Sequence, residues 1–235
     1  MVNQVKIELQ KRANKEKAQL LGRFFKTQKG QYGEGDVFFG IIVPEQRIVA
    51  RRFIDIGHKE IQELLNDKVH ECRLTALFIL VEKYKKTDEK EKKKIFNLYL
   101  KNYKNINNWD LVDLSAPRIV GEHLMDKDRK ILYDWAKSNN LWKKRIAILS
   151  TFTFIKNRQL DDSFKIAKIL LNDKHDLIHK AVGWMLREAG KRDKNKEIDF
   201  LEKYVPKMPR TMLRYAIEKF SPSERAHFLK IDRVV

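Results

Sequence analysis

A tryptophan and an aspartate four residues apart form the most chemically informative pair in the chain. Trp109 and Asp113 have the i, i+4 spacing that places two side chains on one face of a helix. Two more residues occupy equivalent positions in later copies of an internal repeat. Arg145 takes the position of Trp109 one repeat later, and Trp184 takes the position of Asp113 two repeats later. Aromatic faces attract cations and a fixed carboxylate stabilises developing positive charge. The two indoles and the carboxylate therefore suit chemistry at a cationic centre, and the arginine suits a phosphate beside it.

The interval comes from an internal repeat in which a basic residue opens an apolar helical segment. Arg73 and Arg145 lie two intervals of 36 residues apart, and Lys180 and Arg214 follow after 35 and 34 residues. Trp109 takes the position between the first two. A helical period of this length, with two helices per unit, is typical of an α-solenoid. Chance similarity among basic helices is the alternative, and the regular spacing favours an all-α superhelix of HEAT-like repeats.

The charge of the chain indicates the partner. It has 50 Lys and Arg residues against 32 Asp and Glu residues, a formal net charge of +18. This charge creates a positive electrostatic field that attracts nucleic acid, and binding is favoured because each neutralised phosphate releases counterions. Residues at equal repeat phase line the concave surface of a solenoid, so we expect a concave basic groove. The residues expected to contact DNA are Arg73, Lys180, Arg187 and Arg214, with Lys29 and Tyr32 in a glycine-rich loop.

Each of these residues also has a purely structural interpretation. A tryptophan in an apolar helix belongs to the core more often than to a site. The structural alternative for Asp113 is an acid on the surface or a side chain that hydrogen-bonds to nearby backbone, since Pro117 ends its helix soon after it. The structural alternative for Arg145 is a repeat residue whose side chain is simply solvated. The combination favours a function, because a carboxylate in a groove for a polyanion repels the ligand and needs another reason to be there.

Several segments resemble the AlkD family of alkylpurine DNA glycosylases. They are Asn108–Pro117, Trp142–Ile148 and Asp173–Glu188, and Phe39–Glu45 fits the N-terminal region of that family. The resemblance covers nearly the whole chain. It is most specific in the W-D-x-V-D and A-x-G-W-x-L-R-E segments.

The resemblance implies a superhelix of HEAT-like repeats that excises cationic 3- and 7-alkylated purines from duplex DNA without metal or cofactor. The family's catalytic aspartate matches Asp113, its cleft tryptophans match Trp109 and Trp184, and its phosphate-contacting arginine matches Arg145. Asp113 would stabilise the oxocarbenium-like sugar and orient a water. Selection by charge needs no shaped base pocket.

The chain departs from some members of the family at one position in the N-terminal region. Ile42 stands where those members carry a glutamine. Other relatives with HEAT-like repeats bind unusual or branched DNA with little or no glycosylase activity. A non-catalytic binder of damaged or branched DNA is therefore the alternative function.

Three other features carry weaker signals. His175 and His179 have a spacing that can hold a metal, but the segment lacks the H-E-x-x-H pattern, so a solvated helix start is favoured. The Gly30–Gly35 stretch is neither a dinucleotide fingerprint nor a phosphate-binding loop, and it either touches DNA or simply connects two helices. Cys72 is the single cysteine, which excludes an intramolecular disulfide and a cysteine-based zinc cluster.

Local signals predict helix boundaries. Apolar spacing predicts one helix from Val2 to about Thr27, and Pro44 suits the first turn of a helix that runs to about Ile56. The segment Ser221-Pro-Ser-Glu224 is a strong helix start.

The remaining expectations concern class and location. The sequence contains no apolar run of about 18 residues, so no membrane span is expected. The charged N-terminus lacks the apolar core of a signal peptide. We expect a soluble monomer, a single domain over residues 1–235, in the reducing bacterial cytoplasm and associated with the nucleoid. Its expected partner is double-stranded DNA with alkylated purines. A protein-binding scaffold is the third function considered, although a net charge of +18 suits only an acidic partner.

Overall fold

The structure, a computed structural model, describes residues 1–231, and these residues are predominantly helical. Within them no strand forms, and one isolated parallel bridge joins Val37 to Val69. The predicted all-α class is confirmed, and the order of helices agrees with a stack of helical repeats. Contacts divide the chain into two compact units: unit 1 is Met1–Ser115, and unit 2 begins at Ala116.

Unit 1 is organised around one long buried helix. This helix, α5, packs against α1, α3 and α4 and against the two helices that follow it. Every residue of α5 from His70 to Val81 is buried, four polar ones included, so the helix has no solvent-exposed face there. The helices are α1 (Val2–Gln10), α2 (Lys15–Phe24), α3 (Val43–Arg52), α4 (His58–Leu65), α5 (His70–Lys86), α6 (Glu89–Lys101) and α7 (Trp109–Asp113).

The N-terminal region forms two helices where the sequence predicts one from Val2 to about Thr27. Asn14 caps α2, since its side chain accepts the N–H of Lys17 at 2.9 Å, and its own N–H donates to the carbonyl of Phe39 at 2.8 Å. Gly40 has a φ of +84°, and a Cβ there would lie 2.1 Å from the Asn14 carbonyl oxygen. This close contact with a distant segment interrupts the helix, and local sequence does not report it.

Unit 2 is built from paired helices joined by short turns. Helices α9, α11 and α13 pack against one another in succession, and α8, α10 and α12 pack on them. The predicted start at Ser221 is confirmed, because Ser221 and Glu224 form a complete capping box. The elements are a π-helical turn (Pro117–Gly121), α8 (Lys130–Ala136), α9 (Leu141–Lys156), α10 (Asp161–Ile169), α11 (Asp176–Gly190), α12 (Lys194–Tyr204), α13 (Arg210–Ala216) and α14 (Pro222–Lys230), with short 3-10 turns at Val205–Lys207 and Ile217–Lys219.

The predicted repeat matches the helix order. Its five positions fall on α5, α7, α9, α11 and α13, one on every second helix. The alternate helices between them therefore complete the two-helix units that the interval predicts. The residues at these positions are Arg73, Trp109, Arg145, Lys180 and Arg214.

The contact between α11 and α13 depends on a glycine. A Cβ at Gly183 would lie 2.4 Å from the Met212 carbonyl oxygen and 2.5 Å from Cβ of Tyr215. We expect Gly183→Ala to lower the free energy of unfolding by about 1–3 kcal/mol, because neither neighbouring atom is the end of a flexible side chain. Urea denaturation followed by circular dichroism measures the change. Asn195→Ala on the exposed side of α12 is the control, and equal stability of the two variants would contradict the packing argument.

Candidate functional site

The short helix α7 carries both Trp109 and Asp113. It begins after Asn108, whose side-chain oxygen accepts the N–H of Trp109 at 2.8 Å. Such a bond satisfies one of the free N–H groups at a helix start and favours a helix even of five residues. Both side chains are half-buried. The structure thus places the predicted tryptophan and carboxylate at the two ends of one short rigid element.

An aromatic cluster holds the indole of Trp109. Its ring stacks on Phe25 with centroids 5.2 Å apart and meets the edge of Phe24 at 5.9 Å. Phe25 continues the stack to Phe38 at 5.2 Å and to the ring of His70 at 5.0 Å. We call Phe24, Phe25, Phe38 and His70 the aromatic cluster. In the sequence, the two adjacent phenylalanines carry no signal beyond the apolar spacing that predicts a helix from Val2 to about Thr27.

Beneath the end of α7 lies a neutral polar pair. The hydroxyl of Tyr99 is 2.9 Å from the hydroxyl oxygen of Ser115, which in turn donates to the carbonyl of Leu111. Burial raises the pKa of Tyr99, the Ser115 bond opposes the shift, and the charge of Asp113 adds to it. Tyr99 therefore stays a neutral phenol beneath the Asp113 end of the helix.

A buried chain of charges lies beside the aromatic cluster. Nε2 of His70 is 2.8 Å from a carboxylate oxygen of Asp110, and Nδ1 is 3.3 Å from Asp36. Arg73 completes the chain with an ion pair to Asp36 at 2.7 Å. Burial alone would lower the pKa of His70, but the charge and hydrogen bond of Asp110 outweigh it and raise that pKa. Burial would raise the pKa of Asp36, and its bonds to His70 and Arg73 lower it.

Arg73 is a structural residue in this arrangement. Its guanidinium also donates to the carbonyls of Asp67 at 2.8 Å and Lys68 at 3.2 Å, and the residue is only 4% exposed. The repeat predicts a cation on the concave surface at this position, and the structure buries it instead. The reason is the partner Asp36, which comes from the loop after the glycine-rich stretch and is invisible to repeat spacing.

In unit 2, Arg145 and Trp184 lie on neighbouring helices. Arg145 on α9 is buried at 4% exposure and donates to the carbonyl of Leu177 in the first turn of α11. Trp184, seven residues further along α11, is half-buried with its ring centroid 5.8 Å from that of Phe152. Arg145 is therefore bonded to the helix that carries Trp184, whereas its repeat position predicts a member of a row of cations on the concave surface.

Two of the cations predicted to contact DNA are engaged with acids. Lys180 pairs with Asp176 at 2.7 Å on the same helix. Arg187 pairs with Glu188 at 3.4 Å and also with Glu218 on the following 3-10 turn. Both cations are held in defined positions by these contacts, and each would have to exchange an acid for a phosphate on binding DNA.

The other predicted DNA contacts lie nearer to solvent. Arg214 and Lys29 are exposed, and neither has an ion pair within residues 1–231. Tyr32 is half-buried in the loop that follows Lys29. Arg214 is therefore the repeat-position cation best placed to meet a phosphate.

The features that carried weaker signals have structural explanations. His175 caps α11, since its Nδ1 accepts the N–H of Leu177 at 3.1 Å, and His179 bonds to the carbonyl of Asp173. In the described part of the chain, no group of three or more possible protein ligands could hold a metal ion.

Burial raises the pKa of Cys72 to about 12. None of the described helices is both long and apolar enough to cross a bilayer.

The chain is similar to known proteins in both sequence and fold. The family model described as "DNA alkylation repair enzyme" matches residues 5–220. Among solved structures, the chain is similar to a predicted DNA alkylation repair enzyme from Enterococcus faecalis. The TM-score is 0.71 and the identity 17%, over 90% of this chain and 98% of that one. At this identity the likeness concerns the fold. No curated protein matches the chain.

Proposed function

The chain belongs to the DNA alkylation repair enzyme family and so has a role in DNA repair, and from that membership we propose that it is a DNA glycosylase. The proposed substrates are cationic N3- and N7-alkylated purines in duplex DNA. The observation that carries the proposal is α7, which brings a half-buried carboxylate, Asp113, together with an indole, Trp109, fixed by the aromatic cluster.

The proposed reaction uses the charge that the lesion already carries. The bond between the sugar C1′ and the purine nitrogen breaks, and its electron pair leaves with the base, which becomes neutral. The sugar becomes an oxocarbenium-like cation that the Asp113 carboxylate stabilises. A water oriented by the same carboxylate forms a bond to C1′ and passes one proton to that carboxylate, which returns it to solvent. No general acid is needed, because an alkylated purine is already a good leaving group.

The other sequence-predicted residues have supporting roles in the proposal. Each indole, Trp109 and Trp184, attracts a cationic nucleotide, an effect of about 0.5–2 kcal/mol per ring. Arg145 is assigned a phosphate beside the lesion; because its guanidinium is buried and donates to the Leu177 carbonyl, it has to exchange that contact for a phosphate on binding DNA. Arg214 contributes to sequence-independent phosphate binding. Binding then depends on phosphate charge, and selection on the charge of the base.

A base-release assay tests the proposed function directly. The protein is incubated with N-methylated duplex DNA, and free bases are separated by chromatography and identified by mass. We expect release of 3-methyladenine and 7-methylguanine, and no release from unmethylated DNA of the same sequence. Salt-dependent binding without release would contradict a glycosylase and favour a binder of damaged or branched DNA. Absence of DNA binding would favour the protein scaffold.

The exposed arginine of α13 offers a test of the DNA interface. We expect Arg214→Gln to weaken binding to duplex DNA and to reduce the slope of log K against log salt by about 0.9, one phosphate contact. Fluorescence anisotropy over a series of salt concentrations measures both. Arg225→Gln, an exposed cation on α14 outside the repeat positions, is the control of equal charge. A slope equal to that of the wild type would place Arg214 outside the interface.

A further inference from the structure

His70 is a buried titratable residue that the proposed reaction does not use. It is 1% exposed, and each of its ring nitrogens faces a carboxylate: Nε2 lies 2.8 Å from Asp110 and Nδ1 lies 3.3 Å from Asp36. An ionised carboxylate only accepts hydrogen bonds, so both contacts are hydrogen bonds only when both ring nitrogens carry a proton. The doubly protonated ring is a cation. The geometry therefore favours an imidazolium at this position.

The charges around His70 balance when its ring is protonated. Asp36 and Asp110 contribute two negative charges, and His70 and Arg73 contribute two positive ones. Asp36 keeps its ion pair with Arg73 at 2.7 Å whatever the state of the histidine. Within residues 1–231, no cation other than His70 lies at ion-pair distance from Asp110. Loss of the His70 proton would therefore leave Asp110 as a buried carboxylate without a countercharge.

The remaining charged groups near His70 act in both directions. Glu71 on α5 adds a negative charge, although three backbone N–H groups already bond to its carboxylate. Lys17 on α2 lines the same cavity as His70 and opposes a positive ring, but it is exposed, so water and salt screen its charge. Burial and the Arg73 charge would lower the pKa of His70. The charge of Asp110 and the hydrogen bonds to the two carboxylates outweigh them and raise that pKa.

Two contacts connect His70 to the proposed catalytic helix α7. One carboxylate oxygen of Asp110 accepts the histidine, and the other accepts the next backbone N–H of the helix at 2.8 Å. The ring of His70 also lies 5.0 Å from that of Phe25, which stacks on Trp109 at 5.2 Å. Asp113 lies three residues after Asp110 on the same helix. One buried ring thus supports both the start of α7 and its indole.

We propose that His70, as an imidazolium, is a positioning residue for base excision, and that its two N–H donors hold α7 so that Asp113 and Trp109 meet the lesion together. The assignment to excision rests on the proposed function. Because His70 is buried, it acts through Asp110 and Phe25 and does not touch the DNA. Excision should slow as the pH rises through the titration of His70, since a neutral ring keeps only one of its N–H groups.

Replacing His70 by glutamine tests the role of the charge. His70→Gln keeps an N–H donor but is neutral at every pH. Single-turnover release of 7-methylguanine is measured for both proteins over a range of pH, and the ratio of the two rates cancels any titration of the methylated DNA itself. We expect the wild type to be about tenfold to a hundredfold faster while His70 is protonated, because small displacements of catalytic groups have effects of this size. At high pH the ratio should approach one.

Two further results are expected from the same experiment. DNA affinity, measured by anisotropy, should be equal in the wild type and His70→Gln. His227→Gln, an exposed histidine on α14, is the matched control with an unchanged rate at every pH. Equal rates for His70→Gln and the wild type would overturn the proposal. A ratio that is the same at every pH would also overturn it, because a loss of packing does not depend on the charge of the ring.

The wild type alone provides a test that needs neither excision nor a stable His70 variant. The His70 resonance, identified by its contacts with the ring of Phe25, is titrated by NMR on histidine-labelled protein. We expect a midpoint above the ordinary histidine pKa of about 6.5. The emission of Trp109, taken as the difference between the wild type and Trp109→Phe, should change with the same midpoint.

These two titrations separate the proposal from the proposed function. A midpoint below the ordinary histidine value would contradict the imidazolium. Trp109 emission that does not follow the titration of His70 would contradict the positioning role. If both titrations are as expected but the wild type releases no base, the proposed function fails, and the control of α7 by the charge of His70 stands.

Discussion

Replacing Asp113 by asparagine is expected to slow single-turnover release of 7-methylguanine from methylated duplex DNA by about a hundredfold or more. Loss of one preorganised electrostatic group commonly costs about 10²–10³ in rate. The amide keeps the shape of the side chain but loses the charge that stabilises the oxocarbenium sugar. DNA affinity is expected to stay equal or to rise, because the variant removes a negative charge that repels phosphate.

The opposite directions of rate and affinity make this result specific. Asp126→Asn, an exposed acid of unit 2, removes the same charge and is expected to leave the rate unchanged. Rates are measured with enzyme in excess and affinities by anisotropy at the same salt concentration. If Asp113→Asn released the base at the wild-type rate, the catalytic role would be assigned to the wrong residue. A loss of affinity matching the loss of rate would indicate a role in binding.

Arg73→Met is expected to lower the free energy of unfolding by about 3–5 kcal/mol, the usual effect of removing one partner from a buried ion pair. The methionine keeps much of the apolar stem, but Asp36 then shares its buried position with His70 alone. The Asp67 and Lys68 carbonyls lose their donor as well. Urea denaturation followed by circular dichroism measures the change in stability.

The DNA-binding readout separates this role from that of a surface cation. Below the unfolding transition, Arg73→Met should keep the wild-type salt slope, because the guanidinium does not reach a phosphate. Lys59→Met, exposed on α4, controls for a lost charge and is expected to change stability by less than about 0.5 kcal/mol. A stable Arg73→Met protein with a reduced salt slope would restore the interpretation based on the repeat.

The helical class and the repeat register are readable from sequence because both are local properties. Apolar periodicity and an interval of 34 to 36 residues place five positions on alternate helices, and the structure shows them there. The Ser221 capping box is equally local. The family followed from short segments that the family model then matched over residues 5–220.

The environment of each candidate residue was decided by tertiary contacts. Repeat phase assigns one environment to Arg73, Arg145 and Arg214, yet the structure buries the first two and exposes the third. Periodicity tells which side chains share a helix face. It does not tell which acid or carbonyl of a distant segment meets that face.

By itself, the sequence determined that this protein is a basic, all-helical repeat protein with a carboxylate and an indole on one helix face. Only the tertiary structure decided that Asp36 neutralises Arg73, that His70 lies between two carboxylates, and that Phe24 and Phe25 pack against Trp109. The physical reason is the distance along the chain over which each kind of interaction acts. Helix formation and amphipathic spacing depend on neighbours within a few residues, whereas buried charge pairs and cavities form between segments that are 30 or more residues apart in the chain.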